Sequence, residues 1–411
     1  MSRHNGRRVV VTGLGAVSGF GVGLDCFWNG LRAGDCAIRH LDAGTKDYEG
    51  GVACIGAVVP EFEPAKYFGQ DQIALLDRFS QFAILAAQEA ASDAGLEPDS
   101  EALLGAGAVI GTGCGGKQTD EESYTRLYKE SRPRVHPLTI PRGMPSAAAS
   151  LVSQDLGIRG PVFSVASACA SAAHAIAQGR LMIMSGLVDV VLVGGADAPF
   201  TYGLLKAWEA LRVMSGDMCR PFSKGRSGMA LGEGAGVVVL ESAEHAVRRG
   251  VRIYAELAGY GLSSDAGHIT RPDPEGVAKA VSGALRDAGL QPQQVDYVNA
   301  HGTGTLTNDL VETKALHGVF GDHARSLVIS STKSMHGHAL GAASGLELIA
   351  TVRAITAGLV PPTANYLGPD GDCDIDCIPN EPREMTVNVA LSNSFAFGGL
   401  NAVLAVRAWD S

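Results

Sequence analysis

Short apolar, β-branched runs alternate along this chain with longer stretches in which apolar positions return at helical spacing, as expected of buried strands joined by packed helices. Val9 to Val11 opens the series. Basic residues precede it, but Thr12, Gly13 and Gly15 break the apolar run too soon for a secretory leader, so it reads as a first strand. A helix from Phe79 to Ala94 follows, with Gly95 to cap it and Pro98 to block its continuation, and then a strand from Ala108 to Ile110. Val162 to Val165 reads as a strand that runs into strong helix formers from Ala168 onward. Asp189 to Val193 and Gly236 to Leu240 read as two further strands.

The same order then recurs. Asp93-Ala94-Gly95-Leu96-Glu97-Pro98 is answered by Asp287-Ala288-Gly289-Leu290-Gln291-Pro292, at the end of a helix from Gly276 to Ala288. Strands at Val295 to Val298 and Leu327 to Ile329, a helix from about Ala339 to Ala357, and strands at Val387 to Leu391 and Ala402 to Val406 complete it. Each half thus reads β-α-β-α-β-α-β-β. We expect a layered α/β duplication, with residues 1–250 as one half and 251–411 as the other, in which corresponding turns face a shared centre.

Apolar residues make up 46% and charged residues 18% of the 411, with 53 glycines, an enzyme-like composition that excludes disordered and fibrous classes. A net charge of −10 argues against nucleic acid or an anionic membrane surface as a partner. No apolar stretch reads as long enough to span a bilayer. Eight cysteines without a repeated Cys-x-x-Cys spacing suggest neither zinc nor a disulfide framework, and fit a reducing cytoplasm.

Cys169 falls on the turn between the strand ending at Val165 and the helix after Ala168. There the helix's first N–H groups and its dipole are expected to favour thiolate over thiol and to hold a developing oxyanion. His301, in His-Gly-Thr-Gly-Thr at a strand end, and His338, at the turn mirroring that of Cys169, are expected to meet it, with Lys333 close by. His174 reads as a packed histidine that orients its helix. Gly13, Gly15 and Gly19 approach a dinucleotide fingerprint, but the third glycine comes one residue late, and a tight turn is the plainer reading. Asp370, Asp372, Asp374 and Asp376 imitate a calcium loop, but Ile375 stands where that loop needs glycine. A solvated acidic loop is expected, with Cys373 and Cys377 not a metal pair.

Four motifs in order carry a resemblance: Cys-Ala-Ser at 169, His-Gly-Thr-Gly-Thr at 301, Ser-Thr-Lys-Ser-Met-x-Gly-His at 331 to 338, and Asn-Ser-Phe-x-Phe-Gly-Gly at 393 to 399. Together they resemble the β-ketoacyl-acyl-carrier-protein synthases of the synthase II type. The resemblance implies a thiolase-like, five-layered fold and a decarboxylating condensation. It implies Cys169 as acyl nucleophile, the N–H groups of Cys169 and Phe397 as oxyanion hole, and His301 and His338 on the thioester oxygen of malonyl-carrier, supported by Lys333. Thr270, Thr303 and Thr305 would lie along the phosphopantetheine arm, and Phe397 would gate the acyl tunnel. No metal or organic cofactor is implied. The partners would be an acyl carrier protein and a second subunit, either identical or resembling a chain-length factor.

Several positions depart from the common pattern. Leu306-Thr307-Asn308-Asp309 replaces Pro-Leu-Gly-Asp, His336 replaces threonine, and Ala396 replaces glycine. These resemble the nodulation protein E branch, whose acyl chains are unusual and often polyunsaturated, and in part the polyene-forming type II polyketide ketosynthases. Cys114 stands where isoleucine is common and is expected to widen the acyl pocket, unless Met214, or residues near Ile140 of a dimer partner, refill it. The usual basic patch after Lys66 is largely missing, so Arg212, Arg220, Lys224 and Arg226, with Arg126 and Lys129 beside them, are expected to meet the carrier. A thiolase acting on coenzyme A would need a second catalytic cysteine where Phe397-Gly-Gly stands. A non-catalytic chain-length subunit would lack the nucleophile, and a nicotinamide oxidoreductase rests only on the imperfect glycine motif.

Overall fold

The computed structural model describes residues 6–41 and 54–410. The first half contributes strands Val9–Ser18 (β1), Gly107–Gly111 (β2), Val162–Val165 (β3), Val190–Asp197 (β4) and Gly234–Ser242 (β5), with helices Arg78–Asp93 (α1), Ala147–Leu156 (α2) and Ser171–Met184 (α3). The second half contributes Ala255–Ser264 (β6), Tyr297–Asn299 (β7), Val328–Ser330 (β8), Val389–Ala396 (β9) and Leu400–Ala408 (β10), with helices Pro274–Ala288 (α4), Leu306–Phe320 (α5) and Ala343–Ala357 (α6).

The strands form one mixed sheet in the order β8-β7-β9-β10-β6-β1-β5-β4-β2-β3. The order in each half is the same, read outward from an antiparallel β1–β6 seam. α3 and α6 pack against one another and against both half-sheets, while α1 with α2, and α4 with α5, cover the outer faces. Five layers result, with α3 and α6 in the middle. The segment Leu340–Ala357 does reach a membrane-spanning length and hydropathy, contrary to the sequence reading, but 78% of it is buried inside the protein, as befits a core helix.

Of the near-fingerprint glycines, Gly13 and Gly15 lie inside β1, while Gly19 begins the turn that leaves the strand. A Cβ on Gly13 would lie 2.1 Å from the Ala90 carbonyl oxygen, and one on Gly15 2.0 Å from that of Ala86, so bare glycine lets α1 settle directly on the strand. Gly261 repeats this against α4, where a Cβ would fall 1.9 Å from the Ala280 oxygen. Both strands carry a register shift at the matching place, between Val11 and Gly13 and between Leu257 and Gly259. The repeated aspartates answer it: Asp93 accepts the Leu14 N–H at 2.9 Å and Asp287 the Tyr260 N–H at 3.1 Å.

Gly15→Ala should therefore lower stability by about 3 kcal/mol or more, since backbone has to move. Gly318→Ala, on α5 with nothing within 4 Å of the added carbon, should be neutral or stabilising. Urea denaturation of the two variants checks the contrast.

Candidate active site

β3 ends at Val165, and the chain then turns sharply: Ala168 takes φ +50° before a 3-10 turn, Ala168–Ala170, that leads into α3. Leu340 takes φ +50° at the matching turn before α6. The Ser171 hydroxyl braces the first elbow, accepting the Ser167 N–H at 2.9 Å and lying 2.7 Å from the Ala168 carbonyl. Cys169 sits in this turn, buried and lining a cavity.

His301, His338, Phe395, Ala396 and Phe397 line the same cavity, and Thr303, Thr305 and Thr270 lie along it. The rings of His301 and His338 are 5.4 Å apart and nearly perpendicular. Burial holds both well below the usual histidine range, with Lys333 adding to the effect, so both are neutral at physiological pH. Lys333 itself is not on the cavity wall. It forms a fully buried ion pair with Glu347 of α6, whose carboxyl burial raises to about 7, and acts on the site through its charge. Thr303 and Thr305 hydroxyls are 2.9 Å apart.

Burial also pushes the Cys169 thiol up to about 12, with Lys333 pulling it down and Asp197 pushing it further up. The thiolate expected from the elbow alone is therefore not the resting state; removing sulfur from water outweighs the local N–H groups.

Sequence reasoning missed several contributors. Glu312 of α5 accepts the His301 and Gly302 N–H groups, at 2.9 and 2.8 Å, and the Asn393 amide at 3.1 Å, fixing the histidine loop to β9. The ring of Trp208 stacks on Phe397 at 6.1 Å. Arg271 stands on the cavity rim. No motif or spacing in the sequence marks any of these, because His301 lies in the loop before α5 and Glu312 within it.

Other expectations need correction. Arg226 is buried between Asp370 and Asp309 and has no face for a carrier, and Arg220 is largely covered beside Asp217. Arg212 and Lys224 are exposed, as are Arg126 and Lys129. Cys114 does not line the cavity; it packs beside Leu205, Met229 and Leu340, with Met214 in the same cluster. Ile140 is 76% exposed and lies away from the cavity of its own chain. The acidic loop is solvated at Asp372 and Asp374, which are exposed, and is also tied down: Asp370 pairs with Arg226, Asp374 with His317 and Asp376 with Arg383, while Cys373 and Cys377 enter the core. His174 does pack locally, 3.0 Å from both Ser167 Oγ and the Ala170 carbonyl. His336 lies under the site, its Nε2 3.0 Å from Thr332 Oγ1, and burial lowers it to about 3.

The N-terminal domain of β-ketoacyl synthases matches residues 6–246, and their C-terminal domain matches 254–367. The chain belongs to the β-ketoacyl synthase family. This synthase is 52% identical to nodulation protein E of Rhizobium sp. (strain N33) over 98% of this chain and 99% of that one. It is 39% identical to 3-oxoacyl-[acyl-carrier-protein] synthase 2 of Synechocystis sp. over the full length of both. The solved ishigamide ketosynthase/chain length factor superposes with a TM-score of 0.93 at 37% identity, covering 98% of this chain and 100% of that one. The fold is thus thiolase-like, and the protein is an enzyme, a ketoacyl synthase.

Because the thiol is raised, alkylation of Cys169 by iodoacetamide should accelerate about tenfold per pH unit across the ordinary thiol range near pH 8.5, without levelling there. Mass spectrometry of the Cys169 peptide follows the rate; a plateau below about pH 9 would contradict it.

Proposed function

We propose that this synthase carries out a decarboxylative Claisen condensation in which an acyl group held on Cys169 is extended by two carbons from malonyl-carrier and leaves as 3-oxoacyl-carrier. The supporting observation is the convergence of one buried thiol and two neutral histidines on a single cavity. Acyl transfer exchanges one thioester for another, so the proton leaving Cys169 ends on the pantetheine sulfur. The N–H groups of Cys169 and Phe397 would hold the oxyanion of that step. His301 and His338, being neutral, then donate hydrogen bonds to the malonyl thioester oxygen while CO₂ departs and enolate charge builds on it. The enolate attacks the acyl carbonyl, and the sulfur of Cys169 is released and reprotonated. Lys333 supports these steps through its charge, and Phe397, stacked on Trp208, gates the acyl side.

Thr270, Thr303 and Thr305, which line the cavity, would guide a phosphopantetheine arm. A carrier tethered to that arm must sit over the cavity mouth. Ile269 of the cavity lining is 70% exposed, Leu306, between the lining Thr305 and Thr307, is 64% exposed, and Arg271 is a cation of the lining. Arg212 and Lys224 remain available at greater reach. Similarity to a ketosynthase/chain length factor supports a two-subunit assembly, with an identical or chain-length-factor-like partner, and the departures at Leu306 to Asn308, His336 and Ala396 favour an unusual acyl chain. The exposed Phe163 on edge strand β3 suits such a partner. We assign the halves 1–250 and 251–411 as its two structural units, and the free cysteines favour a reducing cytoplasm.

Cys169→Ala should abolish condensation and keep the fold, since little volume is lost. Cys169→Gln, which places an amide where the acyl carbonyl sits, should still release CO₂ from malonyl-carrier; loss of CO₂ release from a folded variant would remove the histidines from the decarboxylation step. At the mouth, Arg271→Glu should raise KM for carrier-borne substrate about tenfold, and more at low salt, while leaving kcat/KM for a short pantetheine thioester within about twofold.

A further inference from the structure

Asp197 is a fully buried carboxylate that the reaction above does not use. It ends β4 and accepts four hydrogen bonds from two places. Thr112 Oγ1 (2.7 Å) and the N–H groups of Gly113 (2.7 Å) and Cys114 (3.0 Å) reach it from the loop after β2. The Gly341 N–H (2.7 Å) reaches it from the turn before α6. The first loop belongs to one half and lies against the nucleophile elbow, with the Thr112 carbonyl 3.1 Å from the Ser171 hydroxyl that braces Ala168. Gly341 belongs to the other half, three residues after His338. The fit is close: a Cβ on Gly341 would fall 2.3 Å from the Gly113 nitrogen and 2.7 Å from Asp197 Oδ2. Both elbows hold a left-handed φ at a non-glycine residue, Ala168 and Leu340, a conformation that persists only when surroundings impose it.

The geometry points to Asp197 as a positioning residue that sets the separation of Cys169 from His338, and so decides whether the enolate reaches the acyl group on sulfur. This rests on the condensation proposed above. In the malonyl step the bond between the carboxylate and the α-carbon breaks, CO₂ leaves, and the electron pair passes into the enolate. That enolate either attacks the acyl carbonyl on Cys169 or takes a proton and departs as an acetyl thioester. Loosening the clamp favours the second outcome.

The ionised clamp also costs stability. Burial raises the Asp197 carboxyl to about 6 against the opposing pull of its hydrogen bonds. A raised carboxyl favours folding at acid pH, where it is protonated in both states, and that advantage is lost as pH rises through about 6.

The test counts CO₂ and 3-oxoacyl product in one reaction supplied with acyl-carrier and malonyl-carrier. Wild type should give a ratio near one. Asp197→Asn, which turns an amide N–H toward donors, should raise that ratio about tenfold with carrier KM nearly unchanged. An unchanged ratio, whether the rates fall together or stay the same, overturns the proposal. Wild type that releases no CO₂ would instead overturn the condensation reading. Should the Asn variant not fold, the wild-type ratio should climb as pH falls through about 6. The thiols of Cys114 and Cys169 face Asp197 and titrate far higher; Glu347, raised to about 7 beside Lys333, lies beyond Cys169. Thr112→Val separates these groups, because losing that hydrogen bond raises Asp197 alone and should shift the climb to higher pH. A flat wild-type ratio, or a climb that Thr112→Val leaves in place, counts against Asp197.

Discussion

The electrostatics of the cavity around Cys169 depend on one buried charge. The Lys333 ammonium lies in a dry centre where nearby groups feel it strongly, and its ion pair with Glu347 keeps it there. The same burial that forbids charge on Cys169 and the two histidines makes that single cation effective: it disfavours imidazolium and favours thiolate. The condensation proposed above needs hydrogen-bond donors in a water-poor pocket, and neutral histidines beside a fixed cation would meet that need.

The dry centre exists because two half-sheets close on α3 and α6. Close approach of helices to strands is paid for in side chains, and glycine marks each place. Gly13 and Gly15 admit α1, Gly261 admits α4, and Gly236 meets the backbone of α6, where a Cβ would lie 2.3 Å from the Leu346 nitrogen. The elbows then project Cys169 and His338 from opposite halves into the space between, as duplication requires.

Departures from the common family pattern concentrate around this frame rather than at Cys169, His301, Lys333 and His338. His336 is accommodated as a neutral ring against Phe27, 5.7 Å away, and Thr332. Asn308 and Thr307 line the cavity. Such changes leave Cys169, His301, Lys333 and His338 in place and alter their surroundings.

The sequence by itself determined the duplication, the strand-to-helix turn bearing Cys169, and the identity of His301, Lys333 and His338, because local periodicity, caps and short motifs are written in consecutive residues. The Gly-Leu-x-Pro repeat even carried its aspartates, although their role in meeting a shifted strand emerged only on folding. Tertiary structure alone decided the rest. Burial raised Cys169 where the turn alone favoured thiolate, and withdrew Arg226 from the surface into an ion pair. It also converted an apparent nucleotide motif into helix packing and brought Asp197, Glu312 and Glu347 to the centre. Solvation and the pairing of distant charges depend on what surrounds a residue in three dimensions, and neighbours along the chain do not record it.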